Sequence, residues 1–576
     1  MAKISEEDRS KLKWILERVQ SSEEYCMPYF ERAKRHYRLY RFGSAVDEED
    51  WPYVNRVRSR DILAFIEDGT AIMMATLFAK IPFFSVVPRE TSAILEKSLG
   101  IDFKQLGDQV ARCLDYQISH EETEFFEEIV DFFKGGNIFG NSYMGVYPKW
   151  DDDGKYYLPL LKTHDFWDVM PIAGARRMTR AKGVFVRSWA SKEAIEELGA
   201  NKVYKNTDLI TSASKGIDAE HDWHKALLQE LGMTGYAIDE GDVEILDYFS
   251  GGHILTIGNR KALLRDSNKD QQKPYPYDMP VIQYKFMPVP LEFYAMGVPE
   301  VLEALQEDKN LIRSARRDNI DLVINKVLKV KSGADINFDL IKYYAGAMWP
   351  LENLSDIEPL EMTDVTSSSY NEETMRASDM ENALSLFGYA RGMTPTRAEQ
   401  PTTVMKLQQA SMNRLDLAIK LAEFTTLQNL ARRIVMLNRR YMKQETYEAI
   451  IGEQDMGFYK LSEEDIGRFF YFKPMGSSVT NIKEVRQQQV QTVLQTAMAI
   501  PPEMRMNNVQ PYTLNMYEAE KEMYDAVDMQ NVDRMLIKLP TPQEIAKKEQ
   551  EQQLLNSFNP DMSQLGNLMQ VSYGGE

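Results

Sequence analysis

The residues from which this chain would have to build a reaction centre or a metal site are few: six histidines, two cysteines and some glycine-rich turns. His221 and His224, in "HDWH", stand one helical turn apart, a spacing that suits two ligands of a zinc ion. No neighbouring residue completes that set, and the segment reads as a polar surface helix. "WDDDG" (150–154) carries half the acidic pattern of a calcium loop. Lys149 occupies the first ligand position and no acid closes the loop, so an Asp-rich hairpin turn is expected. A phosphate-binding loop needs Gly-Lys-Ser/Thr at a helix start. "GGNIFGNSYMG" (135–145) lacks the lysine and runs into a strand, and in "DGKYY" Tyr156 stands where a hydroxyl for Mg²⁺ is required. The other histidines (36, 120, 164, 253) are scattered, Cys26 and Cys113 have no local partner, and no serine nucleophile elbow occurs. The expectation is no catalytic residue, no metal and no cofactor: neither an enzyme nor an ATP-driven motor.

Composition points the same way. At 576 residues the chain has room for more than one core. Acids outnumber bases 87 to 68, a net charge of −19, which disfavours wrapping nucleic acid through released counterions but suits a surface that lets nucleic acid pass. Two cysteines in so long a chain suggest synthesis in a reducing compartment. The start, "MAKISEEDRSKLKWILERV", is a charged amphipathic helix without a signal-peptide core, and "GTAIMMATLFA" (69–79) is too short to span a bilayer. A soluble protein is predicted. Three basic clusters (175–182, 313–318 and 431–443) are read as solvated faces or intersubunit ion pairs in preference to DNA grips.

The pattern predicts an α+β, mainly helical chain. Helix is expected over 3–45 and near 103–135. An extended passage lies at 80–90, a β-hairpin at 141–164, strands at 183–190, 242–257 and 280–287, and a polar helical insert at 217–233. The second half is different. Residues 297–325 form a helix of about 40 Å, with Val298, Leu302, Leu305, Ile312 and Ala315 as its apolar stripe. Short strands and turns follow at 326–364 and a second helix at 367–390. Then comes "GYARGMTPTRAEQPTT", a mobile basic loop, set before a helix of about 60 Å over 402–442. Leu417, Leu421, Phe424, Leu427, Ile434, Leu437 and Tyr441 mark one face of that helix. A mixed segment covers 443–480, a helical region begins at 481–500, and "TPQE" (541–544) is a capping box before a polar tail.

In this order the chain resembles the portal, or head–tail connector, protein of tailed bacteriophages. The resemblance spans roughly residues 30–535. It is carried by "FIEDGTAIMMATLFAKIPFFSVVP" (65–88), "DFFKGGNIFGNSYMGVYPKW" (131–150), "KTHDFWDVMP" (162–171) and the long stretch 279–330. In that last stretch Phe293-Tyr294, Gly297, Gln306, Asn310, Asp318, Asn319 and Asn325 match the family's pattern. Gly388, Gly392, Thr402-Thr403, Met405, Gln408 and Arg414 match around the loop. The insert near 200–235 has no counterpart.

The resemblance implies a ring, usually of twelve subunits, at one capsid vertex, assembled in the cytoplasm of a bacterial host and touching no membrane. Residues 1–296 would be the N-terminal region and wing, and 443–481 a return segment of the wing. Residues 297–325 and 365–390 would be the stem helices, with Gln306, Asn310, Arg313, Arg317 and Asp318 as stem and intersubunit residues. Residues 326–364 would form a clip that docks terminase and tail adaptor proteins. Residues 391–401 would form a tunnel loop, where Arg391, Thr394, Thr396, Arg397 and Gln400 face passing double-stranded DNA. The spine helix would be 402–442, the crown 482–538 and the polar tail 539–576. Major capsid and scaffolding proteins would surround the ring. A ring of twelve would place roughly 230 negative charges around its channel, so that DNA slides without adhering. A tail adaptor or internal head protein would share the acidity and the long helices, although adaptors are shorter and lack a clip between two helices. A hydrolase with a helical appendage would need a nucleophile or metal set that the sequence does not offer.

Overall fold

A computed structural model describes residues 5–47, 49–79, 81–89, 100–151, 153–211, 242–267, 273–325, 327–333, 336, 341, 348–349, 353–360, 366–384 and 413–476. The chain divides into two units, Met1–Ser477 and Ser478–Glu576, and every described residue belongs to the first. The expected insert at 217–233, the tunnel loop, the crown and the tail therefore lie outside the described residues.

Helix α1 (Glu6–Phe42) buries Ile15, Val19, Ser22, Cys26, Phe30, Ala33, His36 and Leu39, a run of three- and four-residue steps that keeps one stripe inward. It stops at Gly43, whose φ of 79° favours glycine and whose N–H donates to the Leu39 carbonyl. A Cβ at this position would also fall 2.4 Å from the Ser59 carbonyl oxygen. Helix α2 (Asp61–Leu77) carries the apolar stretch of the sequence. After β1 (Phe84–Pro88), Asp102 caps α3 (Phe103–Ser119) by accepting from the Lys104 and Gln105 N–H groups. Helix α4 (Phe125–Phe139) ends at Gly140 (φ 86°), where a Cβ would lie 2.0 Å from the Ala295 carbonyl oxygen. The glycine-rich stretch is thus a helix end packed against backbone.

The expected hairpin is present as β2 (Asn141–Trp150) and β3 (Tyr156–His164), with Tyr143 opposite His164. Its acidic turn is closed by the Gly154 N–H donating to Asp151 O at 2.8 Å. A five-stranded antiparallel meander follows: β4 (Val169–Pro171), β5 (Val184–Ala190), β6 (Val243–Ser250), β7 (His253–Gly258) and β8 (Ala262–Asp266), with helix α5 (Lys192–Ala200) between β5 and β6. The single extended stretch expected over 242–257 is two strands, because Gly251 and Gly252 both take positive φ and turn the chain back. Strand β9 (Val281–Lys285) pairs with β2, giving the order β3-β2-β9. Helix α1 lays its stripe on the meander, sharing a core with Phe166, Trp167, Phe185 and Tyr294.

Helix α6 (Val298–Ile324) leads to a short ribbon of β10 (Leu328–Val330) and β11 (Ile357–Pro359), and α7 (Thr366–Leu384) returns from it. The spine is described over 413–441 as α8 (Asn413–Leu421), a π-helical turn (Ala422–Leu427) and α9 (Gln428–Tyr441). The π turn shifts the phase of the helix. Leu417 and Phe424, expected inside, are 60% and 59% exposed, whereas Leu415, Ala418, Ile419 and Ala422 are buried. Beyond the turn Leu427, Ile434 and Leu437 are buried as expected. After α10 (Gln444–Ile451) and α11 (Glu463–Phe469), strand β12 (Phe470–Pro474) pairs antiparallel with β1 and closes the larger core. The described fold is α+β and mainly helical.

Candidate functional site

The residues singled out on α6 sit on two faces of one helix. The first face is a ladder of polar side chains at 306, 310, 314, 318 and 321, steps of three and four that keep them in one row, with Glu307 beside it. Gln306 accepts the Ile62 N–H at 2.8 Å and donates to the Gly43 carbonyl at 2.8 Å. Asn310 accepts the Ser59 N–H at 2.7 Å and the Ser59 hydroxyl at 2.9 Å, and also donates to the Gly43 carbonyl. Glu307 accepts from the Ser44 hydroxyl and the Ala45 N–H, and Ser314 Oγ accepts the Val57 N–H. Asp318 accepts from the Val54 and Asn55 N–H groups and from the Asn55 side chain, which also donates to Asp321. A Lys309–Asp61 ion pair at 2.9 Å completes the row. Residues 43–62, which have almost no regular structure before α2, thus find their backbone partners on α6.

Burial pushes the Asp318 carboxyl up, but the three donors of Asn55 and Val54 outweigh it and hold the group below the usual carboxylate range. The ladder also corrects the expected stripe. Leu305, Ile312 and Ala315 are only half-buried, while Gln306, Lys309, Asn310 and Ser314 are buried. Beyond its first turns, α6 buries a polar face.

The second face meets α7. Arg313 and Arg316 both bond Glu373, Arg316 lies 4.1 Å from the centre of the Tyr370 ring, and Arg376 pairs with Asp308 at 3.5 Å. As the α6 partner rises from 308 to 316 the α7 partner falls from 376 to 370, so the two helices are antiparallel. Burial raises the Glu373 carboxyl, but the two guanidinium donors win and hold it below its ordinary value. An open cleft of about 630 Å³ lies along this seam, lined by Val57, Lys309, Arg317, Ile320 and Tyr370 among others. At the far end of the pair, β10 and β11 set Lys329 opposite Glu358, and two further bonds, Lys331 N–H to Asp356 O and Leu360 N–H to Val327 O, lengthen the ribbon.

All five stem residues named from the sequence are therefore described, and their bonds lie within the chain. Gln306 and Asn310 are fully enclosed, with both ends of each amide committed to backbone groups of residues 43–62. Arg313 braces α7, Arg317 pairs with Asp321 one turn on, and Asp318 holds residues 54 and 55. Glu307, Ser314, Arg316 and Glu373 were not anticipated. The three- and four-residue polar spacing was the signal for the first two, whereas Glu373 is defined only by the return of α7. Arg391, Thr394, Thr396, Arg397 and Gln400 lie outside the described residues, as do His221 and His224. Among the described residues no group of three or more His, Cys, Asp or Glu could hold a metal ion, and no helix is long and apolar enough to cross a membrane.

No protein-family model and no curated protein matches this sequence. Among solved structures, a chain in the "Neck of empty GTA particle computed with C6 symmetry" aligns over 80% of this chain and 97% of its own, at 11% identity and a TM-score of 0.33. A superposition that loose carries no argument about this chain.

Proposed function

We propose that the chain is a structural ring subunit of a virion's head–tail junction and, more finely, the portal through which double-stranded DNA is packaged and ejected. The observation that carries the reading is the antiparallel pair α6–α7 with a small ribbon at its tip. It is anchored on one face by the 306–321 ladder and braced on the other by Glu373 between two arginines. A helix pair held on both sides is a rigid arm, and rigid arms of identical subunits pack side by side in a closed ring through a heterologous interface. The half-buried Leu305, Leu311, Ile312 and Ala315 leave apolar area on α6 for such a neighbour. The net charge of −19 suits a channel that must not hold its cargo.

On this reading the ribbon region contacts terminase and then the tail adaptor, the loop at 391–401 follows the moving duplex, and the chain does no chemistry of its own. Negative-stain microscopy of the purified protein tests it. Turbine-shaped rings with a central hole are expected; monodisperse monomers under all conditions overturn it.

A further inference from the structure

The three basic clusters of the sequence have different fates. In 313–318 the arginines are taken up by Glu373 and Asp321, and in 431–443 Arg439 donates to the Leu461 and Tyr459 carbonyls while Arg440 pairs with Glu463. The third cluster is not consumed. Arg176, Arg177, Arg180 and Lys182 are exposed on the connection between β4 and β5, and their side chains have no hydrogen bond or ion pair among the described residues. The sequence explains why. Between Asp168 and Glu193 there is no acid at all, in a chain where acids outnumber bases 87 to 68. Of the cations in that stretch only Arg187 turns inward, to Glu23 and Glu244.

This connection is built. Met178 is buried beneath it, the Ile172 N–H donates to Gly183 O, and the Arg180 and Ala181 N–H groups close a 3₁₀ turn onto Arg177 O and Met178 O. Lys285 reaches up from β9 to donate to the Arg176 carbonyl at 3.1 Å and to that of Glu292 at 3.3 Å. Burial, aided by the positive charge of Arg177, draws the Lys285 ammonium down to about 8, so an anion above it would be welcomed by a fifth cation.

We propose that this connection, residues 175–182, is a binding surface for the phosphate backbone of duplex DNA on the outside of the meander. A protein partner would need an apolar or aromatic anchor at the centre of its contact, and among the described residues no large hydrophobic residue is exposed between Leu160 and Val203. What remains is charge alone, three guanidinium forks and an ammonium, which suits regularly spaced phosphates and reads no sequence. The inference rests on the connection itself and not on the channel reading: a chain that formed no rings would still bind DNA here.

The test uses the full-length protein and a fluorescein-labelled duplex of mixed sequence, about 30 base pairs long, titrated by anisotropy between about 50 and 200 mM salt. Changing Arg176, Arg177, Arg180 and Lys182 to alanine should weaken binding at least about tenfold and lower the slope of log affinity against log salt by about 3. The lysine variant R176K/R177K/R180K should keep both. R177Q/R180Q, which alters two exposed side chains only, carries the test should the quadruple variant unfold, with about half the loss of slope. Unchanged affinity and slope in these variants overturn the proposal. So does polyglutamate competing as well as DNA at equal charge, which would assign the surface to an acidic protein.

Discussion

Asn310 joins two segments that the chain separates by a turn: its amide donates to the Gly43 carbonyl at 2.8 Å while its oxygen accepts the Ser59 N–H at 2.7 Å. Both partners are backbone, and the asparagine is fully buried. Replacement by leucine keeps the volume but strips both the Ser59 N–H and the Ser59 hydroxyl of their acceptor, and leaves the Gly43 carbonyl to Gln306 alone. Asn310→Leu should cost about 2–4 kcal/mol, two desolvated groups at one to a few kcal/mol each. Urea unfolding read by tryptophan fluorescence measures it. A cost within about 0.5 kcal/mol, the range of an ordinary surface change, would mean that the ladder does not anchor α6.

Glu373 neutralises two arginines at once and is itself only 17% exposed. Glu373→Gln removes the charge and leaves Arg313 and Arg316 repelling each other across the seam, for an expected loss of about 1–3 kcal/mol. A double-mutant cycle with Arg313→Gln should return a coupling of about 1 kcal/mol that shrinks in high salt. Additive losses would place the brace elsewhere.

Burial, with the positive charges of Arg32 and Arg35 beside it, draws the His36 imidazole down to about 3. The folded value lies below the unfolded one near 6.5, so the neutral ring favours folding above pH 6.5, and that advantage drains away as pH falls toward 3. Other groups titrate in the same range. His164 is also drawn down to about 3, by burial and by Lys162, while burial raises Asp168 to about 7, which acts in the opposite sense between about pH 4 and 7. The comparison that isolates His36 is therefore wild type against His36→Leu. Between pH 8 and 5 the wild type should lose about 2 kcal/mol more than the variant. Parallel pH profiles would show that the imidazole is solvated.

The periods of the sequence carried much of the fold and little of its pairing. The hairpin at 141–164 and the helix at 298–324 follow from alternation and from three- and four-residue steps, which are local properties. The pairing of Phe84–Pro88 with Phe470–Pro474 is not local, and nothing in either strand names its partner. Gln306 and Asn310 could be singled out as residues, but their acceptors and donors lie some 250 positions away and were not readable. The π turn at Ala422–Leu427 defeated the helical wheel, because a wheel drawn at 3.6 residues per turn assumes that no residue is inserted. At 175–182 a solvated face or intersubunit ion pairs were expected; no acid lies from 169 to 192, so the sequence offers those cations no local partner.

The loop between the second stem helix and the spine can be tested by function. Arg391 and Arg397 are its basic residues, set among Gly, Pro and Thr. If they touch passing phosphates, each contact is solvated and weak. Replacing both by alanine should leave rings intact and alter DNA retention in filled particles, measured by nuclease release. Rings that fail to assemble would place the loop in an interface, and unchanged retention would remove it from the DNA path.

The ribbon can be separated from what it carries. Strands Leu328–Val330 and Ile357–Pro359 are paired to each other and lie within a few residues of α6 and α7 in sequence, so we expect their register to depend on the helix pair more than on the residues between the strands. Excising 334–352 and bridging the gap with a short Gly/Ser linker keeps both strands and the whole Arg313–Glu373 brace, and a closed loop of that size costs little extra entropy. Such a variant should unfold at the same denaturant concentration as wild type and still assemble. If the tip is the docking surface for terminase, packaging measured by nuclease-protected DNA should fall to background, while wild-type protein supplied in the same assay restores it. Normal packaging by the excised variant would move the docking surface away from the tip, and loss of assembly would show that the excised residues hold neighbouring subunits together.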